Sequence, residues 1–262
     1  MVTARRTVTP LDGYVLHRHD WSETSLILDV FTRSRGRLAL AAKGAKRPYS
    51  QLRSVLLPFQ RVHFTVGRQA EEAQAEVLTL RSAEWAGVDA APVLPAARLF
   101  AGFYCNELLL KLLARGDAHP ALFDGYAATL RGLASADEFG EQISLRAFEL
   151  LLLKAIGLLP ELDRLTATQQ PLQPDGLYQL HGSRGVIAAE PVLRAAALAG
   201  ADLAALDAAL RDEALWPLHQ ACAARLERLK PVLRGLVHYH LGSPQLRTRD
   251  VMREARQLLA PD

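Results

Sequence analysis

The chain has 262 residues, half of them apolar, with 31 Lys/Arg against 28 Asp/Glu and a net charge of +3. That composition supports a real core in one large or two modest domains and excludes a disordered or fibrous chain. No apolar run approaches the roughly 20 residues of a membrane span, and the opening MVTARRTVTP lacks the apolar centre of a signal peptide, so a soluble cytoplasmic protein is expected.

The first 85 residues read as β structure. GYVLHRH (13–19) and TSLILDVF (24–31) are β-rich runs, SRG (34–36) is a turn, and RLALAAK (37–43) alternates. FQRVHFTV (59–66) alternates cleanly, and AEVLTLRSAE (75–84) comes after a turn at Gly67–Arg68. Five short strands with one longer connection, 44–58, fit a small closed barrel better than an open sheet, and the oligonucleotide-binding (OB) barrel leads.

After Trp85 the period becomes helical. Helices are expected over 94–115, over 120–133 with Pro120 in its first turn, and over 136–157 with Asp137 as N-cap and Gly157 at the C-terminal end. Segment 160–176 has three prolines and reads as a loop; 176–190 reads as a hairpin turning at HGSRG. Residues 191–210 and 213–241 read as helices, with Pro231 kinking or dividing the second. A basic helix is expected over 243–259. The fold class is therefore α+β: a five-stranded OB barrel over 1–85, then a helical domain with a small β-hairpin over 86–262.

Charge is unevenly distributed. Residues 1–85 carry 13 Lys/Arg and 8 Asp/Glu, residues 86–220 carry 10 and 16, and residues 221–262 carry 8 and 4. Within 30–70 there are nine basic residues and no acid. Such a window suits a polyanion, because counterion release rewards Lys and Arg along a phosphate backbone. The candidate DNA-binding residues are Arg33, Arg35, Arg37, Lys43, Lys46, Arg47, Arg53 and Arg68. Tyr49, in the AAKGAKRPYS loop, is the candidate for stacking on bases, and Phe59 and Phe64 are assigned to the core.

Signs of catalysis are absent. No P-loop, G-x-S-x-G or G-x-G-x-x-G occurs. In HRHD, His17 and His19 share a strand face beside Asp20, but no further motif completes a metal site. Gly182-Ser183-Arg184-Gly185 reads as a hairpin turn rather than a backbone clamp. Cys105 and Cys222 have no metal-finger spacing and read as buried free thiols.

VLHRHDWSETSLILDVFTRSRGRLALAAKGAKRP closely resembles the start of the bacterial RecO family, the recombination and DNA-repair mediators. LPF (57–59), TLRSAE (79–84), YCNELLLKLL (104–113), LFDGY (122–126), LRAFELLLLKAIG (145–157) and YHLGSPQLRTRDVM (239–252) continue the resemblance in order. It implies an OB barrel with a helical domain, binding of single- and double-stranded DNA, and annealing of complementary strands without ATP. It further implies work with RecR to load RecA onto DNA coated by single-stranded-DNA-binding protein (SSB), whose acidic-apolar C-terminal tail docks on the helical domain. Arg146 is the residue expected to meet that tail; its sequence neighbours Glu141 and Glu149 offer an internal partner instead. Many family members hold zinc with four cysteines after this helix. LDRLTATQQPLQP has none, so no zinc finger, metal or other cofactor is expected. The usual second basic residue of the R-R-F-E pattern is Ala147 here. A cytoplasmic, nucleoid-associated monomer with no membrane partner is expected. Two other readings stay open: a metal-dependent hydrolase built on His17, His19 and Asp20, and a protein adaptor that binds no DNA.

Overall fold

The computed structural model describes residues 10–67, 76–87, 93–190, 197–212, 215–242, 246–248, 250–252 and 254. It divides into two compact units, Met1–Ala96 with Leu108–Ala134, and Ala97–Glu107 with Ser135–Asp262.

In the first unit β1 (Leu11–Asp20), β2 (Leu26–Thr32), β3 (Gly36–Ala42), β4 (Arg61–Val66) and β5 (Val77–Trp85) close a barrel in the order β1-β2-β3-β5-β4. A four-residue helix, α1 (Leu52–Val55), lies in the connection from β3 to β4. The alternation of β4 decides its faces: Val62, Phe64 and Val66 are buried while His63 is exposed. They join Leu11, Val15, Leu28, Val30, Leu40, Leu78 and Leu80 inside the barrel. Phe59 is buried as well.

The LILDVF run of β2 has both faces covered, which is why it reads as nearly continuous apolar sequence. The outer face of this strand pair is covered by α3 (Pro120–Ser135), whose Phe123 and Tyr126 rings lie 5.1 to 6.3 Å from those of Tyr14 and Phe31. Residues 108–134 thus group with the barrel rather than with the later helices, across the division expected at 85/86. The turn into β3 leaves no room for a side chain. Gly36 has φ of 63°, and a Cβ there would sit 1.8 Å from the Asp117 carbonyl oxygen.

In the second unit α4 (Glu138–Ala155) is buried along most of its length and packs on α6 (Leu215–Ala223) and α7 (Leu226–Leu241). Asp137 caps α4 by accepting a 2.7 Å hydrogen bond from the Gly140 N–H, and Gly157 comes just after it with φ of 72°. The helix α2 (Leu99–Leu112) carries Glu107, whose carboxylate accepts from the Arg247 and Thr248 N–H groups and the Thr248 hydroxyl.

The hairpin is present as β6 (Leu177–His181) and β7 (Gly185–Ala188), extended by a short third strand, β8 (Leu198–Ala199), that pairs with β6. The helix expected over 191–210 starts only at α5 (Gly200–Arg211), and residues 191–196 lie outside the described residues. Between 213 and 241 the break falls at 224–225, and Pro231 sits inside α7. The final helix over 243–259 falls largely outside the described residues.

Gly36→Ala is expected to lower stability by about 2–4 kcal/mol, from the left-handed backbone and the clash with Asp117 together. Chemical denaturation measures it, and a cost near zero would mean the Asp117 loop yields freely.

Candidate nucleic-acid interface

The connection after β3 is pinned from inside. Ala45 is buried, Gly44 turns the chain with φ of 73°, and the Gly44 N–H lies 3.4 Å from the Ser25 hydroxyl. The Lys46 N–H donates to the Thr24 carbonyl at 3.0 Å, and its ammonium reaches the Ser22 carbonyl at 3.2 Å and Asp20 at 3.1 Å. These bonds stitch the β3–β4 connection to the β1–β2 loop. Anchored there, the loop turns Lys43, Arg47 and Tyr49 outward, and Arg53 projects from α1. Tyr49 is 99% exposed.

The acid-free window does not stay acid-free in three dimensions. Asp29, only 5% exposed, lies 3.0 Å from His19 Nε2, 3.4 Å from an Arg37 nitrogen and 3.2 Å from one of Arg115. Arg37 also donates to the Leu113 carbonyl at 3.1 Å, and burial lowers its pKa against the pull of Asp29. Arg33 holds Asp124 in a two-pronged pair at 3.1 and 2.8 Å, and Arg61 holds Asp12. Arg35 is half-buried beside the Thr32 hydroxyl, which accepts its backbone N–H. Arg68 lies outside the described residues. Of the expected set, Lys43, Arg47, Arg53 and Tyr49 face solvent without an ion pair among the described residues; Lys46 is shared with Asp20.

Two residues escaped the sequence reading. Trp21 is 57% exposed on the β1–β2 loop that Lys46 tethers. A tryptophan among the polar residues of a turn was the available signal. Arg81 lies on the outer face of β5, in line with exposed Val77 and Thr79. Its position two residues after Thr79 in an alternating strand marked it, but the basic window ended short of it.

His17 and His19 do share a face, with ring centroids 4.4 Å apart. Their chemistry is taken up elsewhere: His19 pairs with Asp29, and Asp20 with Lys46. Among the described residues no three His, Cys, Asp or Glu side chains cluster as metal ligands.

Arg146, expected to meet an acidic tail, is 3% exposed and donates to Glu149 at 2.7 Å. Glu149 also accepts from the Tyr104 hydroxyl. The pair is an i, i+3 bridge inside the helical core, and the buried Arg146 Nε has no hydrogen-bond partner among the described residues. Burial pushes the Cys105 thiol far up and that of Cys222 to about 12, which leaves both as inert apolar groups.

A closed β1-β2-β3-β5-β4 barrel whose stitched loops display cations and aromatic rings is the architecture of the OB-fold proteins. The chain belongs to the recombination protein O (RecO) family. Residues 8–86 match the model described as Recombination protein O N terminal, and residues 96–250 match its C-terminal counterpart. A DNA repair protein RecO of Polaromonas sp. (strain JS666 / ATCC BAA-500) is 49% identical over 247 residues, covering 94% of this chain and 96% of that protein. The proteins of the same name from Polaromonas naphthalenivorans and Variovorax paradoxus are 48% and 47% identical, over 97% and 98% of this chain and all of theirs. Family membership gives the chain a role in DNA repair. No helix among the described residues is long and apolar enough to cross a membrane.

Glu149→Gln leaves the Arg146 guanidinium buried without its counter-charge and is expected to cost about 3–5 kcal/mol. Replacing both together, Arg146→Met with Glu149→Leu, should recover most of that loss. Equilibrium unfolding of the two variants decides whether Arg146 belongs to the core. A wild-type-like Glu149→Gln would return it to ligand binding.

Proposed function

We propose that the chain binds single- and double-stranded DNA along the loop surface of its barrel, anneals complementary strands without ATP, and works with RecR to load RecA onto SSB-coated DNA. The observation that carries the DNA-binding part is the set Lys43, Arg47 and Arg53, exposed and without an ion pair among the described residues, with Trp21 and Tyr49 exposed on loops held by hydrogen bonds. The partnership with RecR, RecA and SSB rests on the family resemblance.

The physical account is electrostatic. Two single strands repel one another through their phosphates. A positive surface gathers both and screens that repulsion, so complementary bases meet more often. Stacking on exposed aromatic rings holds bases unpaired and accessible without reading their identity. No covalent bond changes, so the chemistry needs no nucleophile or general base.

Charge reversal of Lys43, Arg47 and Arg53 to Glu is the direct test. Lys46 stays, because it ties the two loops together. Oligonucleotide affinity should fall at least about 30-fold near 50 mM salt, and the log–log salt slope should lose about 2, at roughly 0.7 per single-strand phosphate contact. A folded variant with unchanged affinity sinks the assignment.

Trp21→Ala and Tyr49→Ala should each weaken single-strand binding by about 1–2 kcal/mol with the salt slope unchanged, since stacking releases no counterions. Fluorescence anisotropy across a salt series reads both quantities. Equal losses on blunt duplex would exclude stacking.

A further inference from the structure

The face of α7 away from the core has the makings of a second nucleic-acid surface. Leu226, Leu229, Leu233, Leu236 and Val237 turn inward. The outer face carries exposed Arg228, Lys230 and Arg234. Its one acid, Glu227, lies in the first turn, where it complements the positive end of the helix.

Several other arginines of this unit meet acids. Arg98 meets Glu141 at 3.0 Å, Arg164 meets Asp163 at 2.8 Å, Arg211 meets Asp207, and Arg225 meets Asp202 at 2.7 Å. Among the described residues Arg228, Lys230 and Arg234 enter no such pair.

The shape of the face is also particular. At 3.6 residues per turn, Pro231 and Gly235 form a low strip. Lys230 and Arg234 rim one side, about 6 Å apart along the axis, and Arg228 and Tyr239 rim the other. Apart from the helix's own neighbouring backbone, no described residue comes within 4 Å of where a Gly235 Cβ would stand. A glycine inside a helix costs about 1 kcal/mol relative to alanine. Internal packing gives no reason for it here, whereas close approach of a partner's backbone does. Tyr239 is 53% exposed, and its ring lies against the β6–β7 turn so closely that a Cβ on Gly182 would be 2.2 Å from it. The ring is therefore braced from one side and open to solvent.

We propose that this strip is a second phosphate-backbone site, holding one DNA strand while the barrel loops hold another. It rests on the reading that the chain binds and anneals DNA. Charge complementarity selects the occupant: cations without an ion pair among the described residues flank a narrow strip that offers no large aliphatic side chain to a dry protein interface or a bilayer. One surface in each unit lets a single chain carry two strands, which is the physical need of an annealing protein.

The test uses the full chain saturated with an immobilised oligonucleotide, then challenged with a labelled non-complementary strand near 50 mM salt. Wild type should capture the second strand. Charge reversal to Glu at Arg228, Lys230 and Arg234 should cut that capture at least about tenfold. First-strand affinity should stay within about threefold, because the barrel loops are intact. The Gln variants of the same three residues, solvent-facing and compatible with a helix, should show a smaller loss in the same direction, and they stand in if the Glu variant fails to fold. Undiminished capture by the folded Gln variant overturns the proposal, as does a wild type that holds one strand and never a second. An equal loss of first-strand affinity also overturns it, by making the strip part of a single site. A wild type that binds no DNA at all fails the DNA-binding reading itself.

Discussion

A carboxylate taken out of water must be matched by cations, and Asp29 imposes that requirement on the barrel. It interrupts an otherwise apolar β2 and is buried there. His19 from β1, Arg37 from β3 and Arg115 from the segment after α2 close around it. Three stretches distant in sequence are thereby held to one point. The same pairing engages Arg37 inside the fold. Asp124 meets Arg33 in a solvent-exposed bridge, and Asp12 meets Arg61. On the connection after β3, Lys43, Arg47 and Arg53 face solvent without an ion pair among the described residues.

The helical unit obeys the same rule. Its buried Arg146 meets Glu149, and its surface arginines mostly meet acids one turn or one element away. Against that background, uncompensated charge is informative in both units. Exposed ion pairs contribute little to stability, so evolution has little energetic reason to arrange them or to avoid them. The cations without an ion pair among the described residues, beside exposed aromatic rings, are the basis of the proposed DNA site. Pairing inside the fold separates Arg37 from Arg47 although both lie in one acid-free window.

Much of the fold was legible because its signals are local. The alternation of FQRVHFTV exposes His63 and buries Val62, Phe64 and Val66, so the strand and its faces come from period two. Asp137 caps α4 because its short carboxylate reaches the Gly140 N–H whatever else surrounds it. Pro231, expected to kink or divide its helix, does not divide it, for an equally physical reason. Proline opposes helix continuation locally, yet Leu229, Leu233 and Leu236 stay on one buried stripe through it, and that burial keeps α7 continuous. The true break at 224–225 has no such punctuation.

By itself the sequence determined the barrel, the helical character of the chain beyond Trp85, the family, and the location of the basic window, since hydrophobic period, turn residues and composition are properties of neighbours in the chain. Only the tertiary structure decided which of those cations are paired inside the fold. Asp20 reaching Lys46, Asp124 reaching Arg33 and Glu149 enclosing Arg146 are matters of distance, and electrostatic energy depends on separation and burial in space. It likewise decided that Trp21 stands exposed beside the loop of Lys46, because only the folded chain brings the β1–β2 turn and the β3–β4 connection together.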